Sequence, residues 1–261
     1  MPKLQDMFTQ ARRAQSGGGM GFLGKNKSEI KPKAAALVVE FPTVQAGGAE
    51  AALKAGADGL LFTWDGKDKA ALEAIKEEIT SASSNATQLV VGLQITNGFA
   101  QFNRDTLNLI KEQGVNYIIL PFTAPARILA VESKDLEKVV TIPMRDDPFY
   151  PIHIRNLTGL DGIAAVVLDF ALAKDLANMT IEDILTYQAV REAVRFPAFM
   201  HVPGTLQEDE AHTLRTLGLQ AMVLTAGKDS EKTQEQIRSL RVLLEKLQQE
   251  EKENETSTLR H

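Results

Sequence analysis

The chain of 261 residues has no cysteine. That excludes disulfides, cysteine nucleophiles and thiolate metal sites. It also lacks a basic excess: 29 Lys and Arg stand against 34 Asp and Glu, for a formal net charge of -5. Nucleic-acid binding draws on clustered cations that neutralise phosphates, so this balance argues against it. No apolar run nears the roughly 18 residues that a membrane span needs. Residues 1–14 are broken by Lys3, Gln5, Asp6, Gln10, Arg12 and Arg13, which leaves no secretory apolar core. A cytoplasmic location is the expectation. The Asn-x-Ser/Thr triplets at Asn26, Asn85, Asn156, Asn178 and Asn254 then read as chance.

What the chain does have is a repeated phrase. A helix-like stretch ends at a glycine, passes a small polar turn and enters an apolar run. The copies are Gly56-Ala57-Asp58-Gly59, Gly114-Val115-Asn116-Tyr117, Gly159-Leu160-Asp161-Gly162 and Gly218-Leu219-Gln220-Ala221. Glycine just past a helix ends it in the left-handed conformation. The apolar runs that follow read as parallel strands buried on both faces. Strands are expected at 35–39, 59–63, 89–95, 117–121, 139–142, 164–169, 198–202 and 221–224. Helical stretches fall between them, with Pro125 and Pro151 opening two and Thr180 with Asp183 forming a capping box.

Eight such units imply a single (β/α)8 TIM barrel, an α/β fold of about 250 residues. An open doubly wound sheet is the alternative. Its glycine-rich first turn is missing, because Glu40-Phe41-Pro42-Thr43-Val44-Gln45 follows the first strand. The expected organisation is an N-terminal helix and Gly-rich connector over 1–33, the barrel over 34–249 and a disordered charged tail over 250–261. Leu4, Met7, Phe8 and Ala11 share one helix face, which should pack on the outside or bottom of the barrel. The long last helix carries Ile237, Leu240, Leu244 and Leu247, expected to pack on the barrel, with a dimer seam as the alternative. The literal G-x-G-x-x-G at 19–24, followed by Lys25 and Asn26, lacks the strand before and the helix after that phosphate binding requires.

In a barrel the chemistry sits at the C-terminal strand ends. That rule selects Glu40, Trp64, Asp65, Gln94, Thr96, Asn97, Thr123, Arg145, Asp146, Asp147, Asp169, His201 and Thr225 with Gly227 and Lys228, and among them Glu40, Asp65, Arg145, Asp169 and His201 stand out. Asp169 and His201 are the expected acid and base. Arg145 is the expected clamp for a substrate carboxylate or phosphate. Glu40 and Asp65 are candidate ligands for Mg2+ or Mn2+, with Asp169 and His201 able to join them. The expected strands hold no lysine; Lys67 and Lys228 lie in loops, which disfavours a Schiff-base aldolase.

The stretch Phe196-Pro197-Ala198-Phe199-Met200-His201-Val202-Pro203-Gly204-Thr205, with 217–227, resembles strands seven and eight of aldolase-type, phosphate-binding TIM barrels. Thiamin-phosphate synthase and the flavin-linked barrels related to IMP dehydrogenase share that layout. The resemblance implies an anion site at Gly204, Gly227, Lys228 and Ser230. Two departures stand in it: Pro203-Gly204 replaces a Gly-Gly, and Asp229 opposes an anion at the last helix. The expected function is an enzyme acting on a small phosphorylated or carboxylated metabolite, a lyase or isomerase. Alternatives are an FMN-dependent oxidoreductase, with the FMN phosphate near Gly204 and Gly227, and a non-catalytic barrel that binds a partner. A homo-oligomer is compatible with any of these.

Overall fold

The computed structural model describes residues 3–13, 35–83, 89–170, 176–208, 210, 211, 213 and 219–258. Eight parallel strands close into one barrel in sequence order. They are β1 (Ala36–Phe41), β2 (Gly59–Trp64), β3 (Val90–Ile95), β4 (Tyr117–Leu120), β5 (Glu137–Pro143), β6 (Ala165–Asp169), β7 (Ala198–Val202) and β8 (Ala221–Thr225). Helices α1 (Lys3–Arg13), α2 (Gly48–Ala55), α3 (Lys69–Ser83) and α4 (Arg104–Glu112) accompany the first half. Helices α5 (Arg127–Ala130), α6 (Tyr150–Ile154), α7 (Ile181–Val194) and α8 (Ser230–Thr258) accompany the second. The helix expected over 208–217 lies mostly outside the described residues, as do the Gly-rich 19–24 stretch and the Gly218 turn. Among the described residues no helix is long and apolar enough to cross a membrane.

The repeated turn sets the register from below. Leu37 N–H donates to the Asp58 carboxylate at 2.9 Å, and Asp58 N–H donates back to Leu37 O at 2.7 Å. Asn116 brackets Val91 in the same way, at 2.9 and 2.8 Å. Gln220 brackets Ala198 at 2.8 and 3.2 Å. Each side chain extends the sheet ladder one rung past the strand end, so these are structural turn residues. Gly56 and Gly114 take positive φ as expected; in the third copy Gly162 does so, while Gly159 closes a 3-10 turn.

Period-two alternation divides the apolar residues into two cores. Val38, Leu61, Ile119, Val139, Val167 and Val223 point into the barrel; the opposite faces pack on the helices. Four of the lowest inward positions are small: Ala36, Gly59, Ala165 and Ala221. They leave room for Leu4, Met7 and Phe8 of α1, which plug the bottom of the barrel and are all buried. Phe8 meets Phe199 edge-on at 5.2 Å. The Glu137 carboxylate accepts Leu4 N–H at 3.0 Å and caps the first turn of α1.

Two details depart from the sequence reading. Strand β5 begins at Glu137, so a strand does hold a lysine, Lys138. It stands at the bottom end, faces outward by register, and donates to Leu129 O at 2.9 Å. Helix α8 continues to Thr258, past the expected start of a disordered tail. Its Glu, Gln and Lys residues are good helix formers, and elongation fixes one residue per added bond. Ile237, Leu240 and Leu244 are buried against the barrel side, which bears out packing over a seam at those positions; the Leu247 side chain lies outside the described residues.

Gly92 exists for Tyr117. A methyl group on Gly92 would overlap the Tyr117 ring, which crosses the barrel axis and stacks on Phe199 at 5.6 Å. Gly92→Ala should destabilise by about 1–3 kcal/mol through overpacking. Combined with Tyr117→Ala, the two losses should sum to clearly more than the double variant shows. Additive losses in urea denaturation would show that the ring does not depend on that glycine.

Candidate functional site

The inward register that builds the core also builds the mouth. One layer above Val38, Val223 and Phe199 stand Glu40, Thr225 and His201. Glu40 pairs with Thr225 across the β1–β8 seam. The Thr225 hydroxyl donates to Glu40 Oε2 at 2.8 Å, and His201 Nε2 lies 3.2 Å from the same oxygen. Glu40 is 8% exposed and the His201 side chain 35%, so the carboxylate is sheltered and the imidazole is reached by solvent. Among the described residues His201 Nδ1 has no partner.

Burial pushes the Glu40 carboxyl up, but the hydrogen bond and charge of His201, with the Thr225 hydroxyl, outweigh it and hold it below its ordinary value. The ionised form is therefore the one the fold favours. Beneath it, the Tyr117 hydroxyl is buried without a partner. Its burial, and then the charge of Glu40, push its pKa up, so it stays neutral.

Asp169 ends β6 beside this cluster. Val167 pairs with Phe199, and two residues further along both strands stand Asp169 and His201. The Asp169 side chain is exposed, and its carbonyl accepts Met144 N–H at 3.1 Å. Arg145 is exposed on the loop after β5. Its guanidinium lies over two rings, 5.7 Å from the centre of Phe122 and 5.5 Å from that of Tyr150. It lines a cleft of about 630 Å3 with Phe170, Met179, Glu182 and Tyr187; Glu40 and His201 do not line that cleft.

The expected metal pair is not assembled. Asp65 is exposed, and its Oδ1 accepts Lys67 N–H and Asp68 N–H, each at 2.9 Å. Those two amides hold its carboxyl below the ordinary value and make it a turn cap. Glu40 is committed to His201 and Thr225. Among the described residues no group of three or more His, Asp or Glu is arranged to hold a metal. Sequence reasoning placed Glu40, His201 and Thr225 at strand ends but gave Thr225 no role and missed Tyr117; the register brings the four together.

The implied anion site is also changed. Gly204 faces the Gln236 amide so closely that a methyl group there would overlap it. Gly227 N–H donates to Thr233 Oγ1 at 3.1 Å. Lys228 and Ser230 are exposed beside them. These contacts do not fit an FMN phosphate held by Gly204 and Gly227.

A folded-state pKa below the ordinary one means that ionised Glu40 stabilises the fold above the unfolded carboxylate range. That contribution is lost as pH falls through the folded value. Urea denaturation from pH 7 to pH 3 should show Glu40→Gln losing less stability toward acid than the parent. Superimposable pH profiles would contradict the assignment.

No family model matches the chain, and no curated protein matches it in sequence. Its fold is similar to that of solved enzymes. A tryptophan synthase chain from M. tuberculosis gives a TM-score of 0.63 at 12% identity, over 94% of this chain and 99% of that one. Phosphoribosyl anthranilate isomerase from Thermus thermophilus gives 0.57 at 14%, over 80% and 98%. The HpcH/HpaI aldolase from Desulfitobacterium hafniense DCB-2 gives 0.52 at 12%, over 76% and 89%. At such identities the likeness is one of fold. With the closed parallel barrel, it shows that this chain has the (β/α)8 barrel fold.

Proposed function

We propose that the chain is an enzyme of the lyase or isomerase kind, acting on a small phosphorylated or carboxylated metabolite at the C-terminal face of the barrel. The observation that carries this reading is the Glu40–His201–Thr225 cluster. With Glu40 ionised, Nε2 holds the proton that bridges the pair, and Nδ1 offers a lone pair as base. It takes a proton from a C–H beside a carbonyl, or from a hydroxyl. From the C–H, the pair left behind passes into an enolate; from the hydroxyl, the oxygen pair forms a new carbonyl while the pair of the breaking C–C bond leaves as an enolate. In either case the same nitrogen returns the proton to carbon or oxygen of the product. Glu40 orients the ring and stabilises the imidazolium that forms. Asp169, beside His201, is the second acid–base group, and Arg145 holds the anionic end. The names of the similar folds, an isomerase and an aldolase among them, agree with this class. No step draws on a metal or a flavin.

Thermal shifts with a panel of phosphorylated and carboxylated metabolites should identify a ligand that stabilises the protein. With the substrate so found, His201→Ala should lower kcat/KM by about 10²–10⁴-fold. A panel with no ligand and no turnover would support a barrel that binds a partner without catalysis.

A homo-oligomer also finds support on one flank. Phe149 and Ile152 around α6, with Ile181 and Leu185 of α7, are 60–80% exposed, and the two helices are neighbours. An exposed apolar patch of this kind marks an interaction surface. Sedimentation should give a dimer or larger species, and Ile152→Asp with Ile181→Asp should dissociate it. A parent that sediments as a monomer at 100 µM would remove this reading.

A further inference from the structure

We infer that the mouth takes a carboxylated ligand that carries no phosphate, because the chain fills its own phosphate cradle. The inference rests on the proposed use of this mouth and narrows its substrate class. A phosphate at this end of a barrel is held by the loops after strands seven and eight and by the start of a helix. That grip requires free backbone N–H groups and bare glycine surfaces.

Here the amides after β8 and at the start of α8 are in use, and the Gly204 surface is covered. At the start of α8, Glu231 N–H and Lys232 N–H donate to Asp229 Oδ1 at 3.0 and 3.2 Å. Asp229 is thus a built-in anion at the positive end of the helix, where a bound anion would sit. Gly227 N–H is taken by the hydroxyl of the buried Thr233, which itself donates to Asp229 O at 2.9 Å. Ala226 N–H goes to Glu40 O at 2.7 Å. Across the mouth, the Gln236 amide lies against Gly204. A dianion entering here meets the charge of Asp229 and finds these amides spent.

Arg145 offers a cation instead, in a cleft that it shares with Asp146, Asp147, Glu182 and Asp183. Its guanidinium is backed by Phe122 and Tyr150, and among the described residues no carboxylate or carbonyl accepts from it. Ring contact fixes the plane of the fork and leaves its N–H edge for a planar two-oxygen partner. One fork fits one carboxylate edge. The further oxygens of a phosphate need the amides that Asp229 and Thr233 occupy.

The test titrates 15N-labelled protein with malonate and with inorganic phosphate. Malonate should shift the Arg145 side-chain N–H, and Arg145→Ala should weaken malonate binding at least tenfold. Phosphate at 10 mM should leave the amides of Gly227 and Glu231 unmoved. In Asp229→Gly with Thr233→Ala, which frees the amides of Glu231 and Gly227 while glycine is still tolerated at the helix start, phosphate should shift both amides and bind at least tenfold more tightly. Phosphate binding at those amides in the parent would overturn the inference. So would a double variant that gains no phosphate binding, or undiminished malonate binding in Arg145→Ala. These shifts are read without turnover, so an inactive enzyme would overturn the acid–base reading and leave this result standing.

Discussion

Closure of β1 against β8 is the constraint on which the rest depends. The pairing that sets Ala36 beside Ala221 at the bottom sets Glu40 beside Thr225 at the top. The pairing of β7 with β8 then brings His201 to the same layer. A slip of one residue would turn every one of these side chains to the other face of its strand. The register is secured at the far end, where Asp58, Asn116 and Gln220 each bracket a residue of the strand before the neighbouring one begins. Turn chemistry at the bottom is therefore what aims the mouth.

The mouth departs from the rule that cores exclude charge. Glu40 sits on a barrel packed with Val, Leu and Ile, where an unpaired carboxylate would be strongly disfavoured. Two donors on one oxygen offset that burial, and one of them is an imidazole open to solvent. The neighbouring hydroxyl of Tyr117 stays neutral, so the core beneath holds no second charge. A sheltered carboxylate beside an accessible imidazole is a preorganised arrangement for moving a proton. The α8 end of the mouth is closed in a different way: its polar groups answer one another.

The sequence made the barrel legible because its strands are buried on both faces and its turns repeat. Residues 198–202 were read as β7 with both boundaries correct. Strand β5 was read two residues short at its start and one at its end; Glu137 and Lys138 do not look like strand, because their polar ends serve α1 and the α5 terminus. Glu40 and His201 were readable as candidates from their place at strand ends. Their contact was not, since 161 residues separate them and only the register joins them. Asp65 looked equivalent to Glu40 by position, yet its turn takes up its oxygen. The rings behind Arg145 come from different loops and leave no mark in local spacing.

Solvent deuterium exchange tests the central claim most directly. A panel of small oxo-carboxylates is incubated with the protein in D2O, and loss of the C–H signal beside the carbonyl is followed by proton NMR. The account predicts protein-dependent exchange in at least one member of the panel, abolished in His201→Ala and slowed in Glu40→Gln. Exchange that persists unchanged in His201→Ala would contradict it.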